Sequence, residues 1–491
     1  MSVLPGLESV SEVRDLLINP NAPHYLTIPQ GSQWKIKLTN DAKLTVRVIS
    51  GIAEIFGTEL ATDVEYHFQN WCFSIFAVEE TYIEWKSADL QQDDVRQDIQ
   101  PNLTAHILYN LHFTLEKIRY SSYTGPRVMI IGEKNSGKTS LARTLCSYAN
   151  KDRAYQPLYI NLDPTNAVFS PPGCLTATPV SDILDPQLAI WGQSMTSGAT
   201  EFHPKQPLVK NYGLETIAQN PDYYTHVMKQ LARSVAERFQ ADPIVQRSGC
   251  IIDTPPLSSL SETLNELLLG ISEFGVTFVV LLADTFDDKG EDGKEEVQGG
   301  EGGGGGNRVV SETSEEVGLE SEGRKSSAKD LVNKVEKILR PYVGDFLVKI
   351  PRLSGRIDVD DVYMRAQQRV AIREYFYGNT RTVLSPYSVG VDFNFFTIWK
   401  PQTMEEANSS GLSSTALVPV EINKSNLQHA LIAITYADRK AKMEEVMEAP
   451  ILGYALITDV NEKRMKLKIL VPVPGAFPNN ATILTEYRYL E

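Results

Sequence analysis

The chain has 491 residues, 42% hydrophobic and 22% charged, the balance of an ordinary globular protein, and its length implies two or three domains. A formal charge of −15 argues against a broad nucleic-acid-binding surface, though not against a local basic groove. The four cysteines (Cys72, Cys146, Cys174, Cys250) are far apart and form no CxxC pair. That disfavours zinc and disulfide frameworks and suits a reducing compartment. The N-terminus lacks a basic start and a long apolar run, and no segment approaches the ~20 apolar residues of a membrane span. A soluble intracellular protein without internal repeats is expected.

The first hundred residues carry short β-rich runs: Tyr25–Ile28, Trp34–Leu38, Leu44–Ile49, Ala53–Phe56, Cys72–Val78 and Tyr82–Trp85. Turn signals such as Gln30-Gly31-Ser32 and Thr39-Asn40-Asp41 separate them, so a small N-terminal β-sandwich is predicted over 1–100. Its boundary is placed in the polar stretch Gln91–Asn102. Helical spacing then begins over Leu103–Glu116.

The next stretch is Arg127–Asn150, RVMIIGEKNSGKTSLARTLCSYAN. Val128–Ile131 reads as a strand buried on both faces, and Thr139–Ala149 reads as a helix. Between them Gly132-x4-Gly137-Lys138-Thr139 matches the phosphate-loop pattern. Glycines let backbone N–H groups close around an anion, which the loop delivers to the positive end of the helix. Candidate nucleotide contacts are therefore Gly132, Asn135, Ser136, Gly137, Lys138, Thr139 and Ser140. Lys138 would reach the β- and γ-phosphates, and the Thr139 hydroxyl would ligate Mg²⁺. An ordinary glycine turn would not explain Lys138-Thr139.

Apolar runs and helical segments alternate from there to about Gly378, the signature of an α/β sheet. A central domain is predicted over 101–378. Leu158–Leu162, Gly249–Ile252 and Val276–Ala283 run into Asp163, Asp253 and Asp284. Ligands collect at the carboxyl ends of such strands, although a terminal aspartate is often only a helix cap. Asp253, opening Asp253-Thr254-Pro255-Pro256, reads as a Walker-B-like metal residue. Asp163 is open between the two roles, and Asp284 reads as structural. Asp287–Lys329 holds 11 glycines and 12 acids against 6 bases, and reads as a disordered acidic insertion. The helix Ala328–Leu339 is expected to resume the fold. Beyond Gly378, strand candidates at Val391–Trp399, Val418–Ile422, His429–Thr435, Ile451–Thr458, Met465–Leu470 and Thr482–Tyr489 predict a mainly-β C-terminal domain over 379–491.

These three parts resemble the P-loop subunit of the eukaryotic pre-mRNA cleavage and polyadenylation machinery, within the polynucleotide 5′-hydroxyl kinase family. The resemblance rests on Ala53-Glu-Ile-Phe-Gly-Thr-Glu-Leu60, Gly132–Ser140, Leu162-Asp163-Pro164 and Pro207-Leu208-Val209. Asp253-Thr254, Ile372-Arg-Glu-Tyr-Phe-Tyr-Gly378 and Tyr487-Arg-Tyr-Leu-Glu491 complete it. The chain looks most like the fungal form, a component of cleavage factor IA. The resemblance implies a β-sandwich, a P-loop NTPase-like α/β domain and a C-terminal mainly-β domain. It implies ATP and Mg²⁺ as cofactors, a scaffold subunit and other 3′-end processing subunits as partners, RNA engaged indirectly, no membrane, and a nuclear location. It assigns metal contact to Thr139, Asp163 and Asp253, and contact with the nucleotide base to Gln33 and Cys72, where related chains carry an acidic and a basic residue. Arg365 and Arg369, at i and i+4, would either close over the phosphates or be solvated helix charges.

The departures from the active members concern the RNA end. Active relatives follow the Asp163 position with glycine and glutamine, where this chain has Thr165 and Asn166. They carry a base-stacking tryptophan where Leu257 stands, and a Thr-Pro pattern where Tyr212-Gly213 is followed by Leu-Glu-Thr-Ile. The phosphate grip is kept while the RNA grip is degraded, with Asp163 and Asn166 vestigial. The reading is an ATP-holding, non-catalytic subunit; the alternative is an active 5′-hydroxyl kinase. A GTPase-like switch would need a guanine-reading Asn-Lys-x-Asp, absent after Phe346–Ile350.

Overall fold

Leu44, Val46 and Val48 alternate with Thr45, Arg47 and Ile49, and in the folded chain the first set is buried and the second partly wet. The computed structural model describes residues 22–39, 42–90, 95, 98–153, 155–189, 191, 207–260, 264–283, 332–379 and 383–490. Its first part contains β1 (His24–Ile28), β2 (Ser32–Lys37), β3 (Lys43–Ser50), β4 (Ala53–Ile55), β5 (Thr58–Glu59), β6 (Glu65–Gln69), β7 (Cys72–Ala77), β8 (Thr81–Lys86) and β9 (Ile99–Pro101). They form two sheets, β1-β8-β3-β6 and β5-β4-β7-β2-β9, around a core that includes Trp34, Trp85, Phe68 and Phe73. This is the expected sandwich, with three additional strands. β6 reads EYHFQ, only two apolar residues in five, and β5 is two residues long. β9 lies in the stretch expected to be a polar boundary, where it pairs with β2.

A helix over Ala105–Ser121 links this domain to the next, three turns' worth of Leu108, Leu111 and Leu115 facing inward. The central domain contains β10 (Arg127–Gly132), β11 (Leu158–Asn161), β12 (Cys174–Pro179), β13 (Leu208–Asn211), β14 (Cys250–Asp253), β15 (Phe278–Ala283) and β16 (Leu347–Pro351). β12 and β13 do not stand out in the sequence as strands. They form an antiparallel edge beside a parallel core ordered β11-β14-β10-β15-β16. The three central strands, β14, β10 and β15, are apolar on both faces. Met129 and Ile131 enter one hydrophobic cluster while Val128 and Ile130 enter the other, and Ile252 and Ile251 divide in the same way. The core strands are all parallel, and their order of addition changes side at β10, with β11 and β14 on one flank and β15 and β16 on the other. That switch point is where an open parallel sheet leaves a crevice.

Asp284, the acidic stretch Asp287–Lys329 and residues 328–331 of the helix expected there lie outside the described residues. The helix is described over 332–343. A longer helix, Asp361–Tyr377, is capped by Asp360, which accepts from Tyr363 N at 2.8 Å.

The last domain is one mixed sheet of β17 (Tyr387–Asp392), β18 (Ile398–Pro401), β19 (Leu417–Pro419), β20 (Ala430–Asp438), β21 (Ile451–Asn461), β22 (Lys466–Val471) and β23 (Asn480–Arg488). The single strand expected over Val391–Trp399 is in fact two, broken by a turn of 3₁₀ helix at Phe393–Phe395. Short helices over Met404–Ser410, Lys424–Leu427 and Met443–Glu448 add to it. One face of this sheet shares a core with the central domain: Leu431, Ala433, Leu456, Ile483 and Tyr487 join Met129, Ile131, Tyr224 and Leu231. Asn220 Nδ2 donates to Gln402 O (2.8 Å) and Ser414 O (2.6 Å) across the seam.

Glu374, next to the buried Tyr375 and Phe376, is a cost in this packing. Its Oε2 is buried with no hydrogen-bond partner, and burial pushes its carboxyl up to about 7. The stabilisation associated with the raised value is present below the ordinary carboxylate range and is lost as pH rises through 7. Glu374→Gln should therefore raise stability by about 2 kcal/mol at pH 8 and leave it unchanged near pH 4.5. Urea unfolding of both proteins across this range checks it; a gap that does not depend on pH would show that Glu374 is not the titrating group.

Candidate nucleotide-binding site

The loop after β10 occupies the switch point. Asn135 and Gly137 take left-handed backbone (φ 60° and 96°), and a Cβ at Gly137 would approach the Leu353 side chain to 2.9 Å. This conformation turns the loop into the helix Lys138–Arg153. A Cβ at Gly132 would come within 2.6 Å of Ser136 Oγ, so that glycine permits the loop to fold over its own strand.

Lys138 is buried, and its ammonium donates to Glu133 O at 3.0 Å. Burial lowers its pKa, opposed first by Asp253 and then by Asp163. Asp253 ends β14 on the strand beside the loop, and burial pushes it up to about 6 against the pull of Lys138. Its Oδ2 accepts from the Thr139 hydroxyl (2.6 Å) and the Tyr159 hydroxyl (3.1 Å). Asn166 Nδ2 donates to Thr139 Oγ1 at 3.0 Å. Asp163 accepts from the Thr165 hydroxyl (2.7 Å) and backbone N–H (3.0 Å), and burial raises its pKa too. Lys138, Thr139, Asp163, Asn166 and Asp253 are thus gathered at one end of the sheet.

All three domains wall the cleft above this group, which encloses about 560 Å³. The N-terminal domain brings Phe56, Trp71 and Cys72; the central domain brings Lys134–Ser140, Asp163–Ala167 and Arg356; the C-terminal domain brings Tyr487. The helix Asp361–Tyr377 closes one side and is tied to its surroundings. Tyr363 OH accepts from Cys72 N (3.0 Å), Gln367 Nε2 donates to Asn70 O (2.5 Å), and Gln368 Nε2 donates to Thr165 O (2.9 Å). Lys134 pairs with Asp361 at its first turn. Arg365 lines the cleft, whereas Arg369 is exposed and does not.

Gln33 is fully buried and lines a small neighbouring cavity of about 60 Å³ instead of the cleft. Its Oε1 accepts from Asn102 Nδ2 at 3.0 Å, and its Nε2 has no partner. Cys72 does line the cleft, with burial pushing its thiol pKa up. All four cysteines are free. Leu257 is buried in the core shared with the C-terminal domain, and it is Pro256 and Ser259 beside it that line the cleft.

Sequence reasoning missed Phe56, Trp71 and Tyr487 as wall residues. Phe56 and Gly57 form the two-residue turn between β4 and β5, both with positive φ (46° and 79°). Left-handed backbone costs a phenylalanine ~1–2 kcal/mol, and its ring offsets that beside Arg143. Arg143, on the phosphate-loop helix, is buried with its guanidinium 5.3 Å from the Phe56 ring, 5.2 Å from Trp71 and 5.8 Å from Trp191. It donates to Leu188 O (2.9 Å) and Asp185 O (2.6 Å). Burial pulls its pKa down to about 9, which still leaves it charged at neutral pH.

The residues fit a nucleoside triphosphate. Ser136 Oγ and Asp253 Oδ1 are buried polar atoms without a partner, facing a loop that carries a buried lysine. No group of three or more histidines, cysteines or acids that could hold a metal occurs among the described residues. A divalent cation here would therefore rely on Thr139, the neighbouring carboxylates, phosphate oxygens and water, the pattern of a nucleotide-bound Mg²⁺.

A phosphate loop at the switch point of a parallel sheet, roofed by a β-sandwich and backed by a second β domain, defines a three-domain P-loop protein. The match to known proteins is specific. Residues 27–122 match the N-terminal β-sandwich domain of polyadenylation factor, 132–301 the mRNA cleavage and polyadenylation factor CLP1 P-loop, and 384–491 the pre-mRNA cleavage complex II protein Clp1. The chain is 48% identical to the mRNA cleavage and polyadenylation factor CLP1 of Candida glabrata, over all of this chain and 99% of the relative. It is 49% identical to that of Saccharomyces cerevisiae, over the whole of both. Two solved structures superpose with 50% identity. One is a Clp1p–Pcf11p complex (TM-score 0.82, 96% of this chain and 99% of that one). The other concerns the extended Pcf11p–Clp1p interface and the structural basis for ATP loss in a point mutant (0.83, 96% and 100%). The chain belongs to the CLP1 family of mRNA cleavage and polyadenylation factors.

Arg143→Leu should cost about 2–4 kcal/mol, from three lost cation–π contacts and the two lost hydrogen bonds to Asp185 O and Leu188 O. Trp fluorescence during urea unfolding reads it directly. A variant as stable as the parent would mean that Arg143 does not hold the N-terminal domain against the phosphate-loop helix.

Proposed function

We propose that this chain is an ATP-holding, non-catalytic subunit of the nuclear mRNA 3′-end cleavage and polyadenylation machinery. The supporting observation is an asymmetry in the cleft. The phosphate side is complete: a left-handed loop, buried Lys138, Thr139 bonded to Asp253, and partnerless Ser136 and Asp253 oxygens. The two positions that serve the RNA end in active relatives are used otherwise here. Leu257 is buried in the core, and Asn166 is spent on Thr139.

Bound ATP with Mg²⁺ would bring phosphate oxygens to the Lys138 ammonium, which bonds a single carbonyl, and the metal that Thr139 and Asp253 are placed to meet. Asp163, already held by Thr165, would orient solvent around that metal. Gly132, Asn135, Ser136, Gly137 and Ser140 would enclose the phosphates, and Cys72, Trp71 and Phe56 would wall the base end. Gln33 would act from the adjoining cavity. Since Cys72 and Asn70 bond the helix Asp361–Tyr377, the nucleotide would sit where the N-terminal domain and that helix meet, and would cement them. The surface so fixed would receive a scaffold subunit, as the Clp1p–Pcf11p complexes of the solved relatives suggest.

Two measurements test this. Protein purified and then denatured should release ATP, and Lys138→Ala with Thr139→Ala should release none and melt at a lower temperature; a ligand at a hundred times its Kd stabilises a fold by ~2.7 kcal/mol. With γ-labelled ATP, a 5′-hydroxyl RNA should stay unlabelled above the double-variant control, because alignment accounts for ~7–11 kcal/mol of such a barrier. Neither Asn166→Gln nor Leu257→Trp alone should restore labelling. Labelling by the parent well above the control would establish the 5′-hydroxyl kinase instead.

A further inference from the structure

The linker helix Ala105–Ser121 buries one side, and among the described residues no element covers the other. On the open side Phe113 and Tyr120 are 62% and 68% exposed, and Tyr123, just beyond the helix, is 89% exposed. Phe113 and Tyr120 are seven residues apart, so they project from the same line, two turns and ~10 Å apart. Lys117 is exposed between them, four residues after one ring and three before the other. The guanidinium of Arg153, from the end of the phosphate-loop helix, lies 5.3 Å from the Tyr120 ring centroid. In a chain of net charge −15, the stretch Asn102–Arg127 holds one acid, Glu116, which is buried and paired with Arg119.

We propose that this face binds single-stranded RNA, with bases stacked on Phe113, Tyr120 and Tyr123 and phosphates met by Lys117 and Arg153. Rings and cations in alternation match the two parts of a single strand, since every base has a π-face and every linkage a negative charge. A helix that docks a protein presents a continuous apolar stripe at i, i+3, i+4 and i+7. Here Asn110, Thr114 and Lys117 interrupt the rings, so charge complementarity favours the polyanion. The face is outside the nucleotide cleft, and none of its residues lines it. The inference is thus independent of whether ATP is bound.

The test uses the full chain and a fluorescein-labelled oligouridylate of about twelve nucleotides, read by anisotropy at low and moderate salt. Phe113→Ala, Tyr120→Ala and Tyr123→Ala together should weaken binding at least tenfold, and Lys117→Glu should weaken it and flatten the salt dependence. Melting temperature should not change, because these side chains point outward. Should the triple variant fail to fold, Tyr123→Ala and Lys117→Glu singly carry the same test. Ultraviolet crosslinks to the RNA should map to peptides spanning 103–123. No binding by the parent, undiminished binding by the variants, or crosslinks confined to the cleft would overturn the proposal. So would loss of a purified partner subunit with RNA binding intact, which would make the face a protein dock.

Discussion

A buried ammonium is the constraint that organises this molecule. Lys138 is out of water with one carbonyl bond, beside two carboxyls that burial pushes toward neutrality. In a dry site charges of opposite sign attract strongly, yet the cost of removing them from water is of the same order. The loop, the strand end at Asp253 and the turn at Asp163 are each spent on keeping this group of charges together. Three domains then close over it, which deepens the desolvation and sharpens the preference for a polyanion.

The sandwich reaches the site through a cation of its own kind. Arg143 projects from the phosphate-loop helix and meets Phe56, Trp71 and Trp191. Two of those rings also wall the cleft, so the residues that hold the N-terminal domain in place are the ones that shape the pocket. Any displacement of that domain would open the wall and uncover a buried guanidinium together. The arrangement resists partial opening.

Much of this was legible in the sequence because it is local. The phosphate loop is nine consecutive residues with a strand before and a helix after, and Asp253 ends an apolar run. The strands of the sandwich showed where alternation was clean, as in Leu44–Ile49, and failed in β6, whose polar residues outnumber its apolar ones. β12, Cys-Leu-Thr-Ala-Thr-Pro, is entirely buried, so its threonines gave a polar signal for an interior strand. Phe56, Trp71 and Tyr487 reach the cleft only through contacts between residues tens to hundreds apart, which no spacing reveals. The placement of Gln33 in a side cavity and Leu257 in the core depends on packing in the same way.

The shared core of the central and C-terminal domains bears on how the chain must be made. β23 lies between β20 and β18, inside its sheet, and it carries Ile483 into the core of the central domain and Tyr487 into the cleft wall. While a nascent chain is still on the ribosome, the sandwich can complete its own core early. The core shared by the central and C-terminal domains cannot, since Ile483 and Tyr487 join Tyr224 and Leu231 only after residues beyond 480 have emerged. For most of synthesis the phosphate loop therefore belongs to a body that lacks one cleft wall and leaves part of its helices' apolar surface unmatched, a state in which chaperones engage a chain.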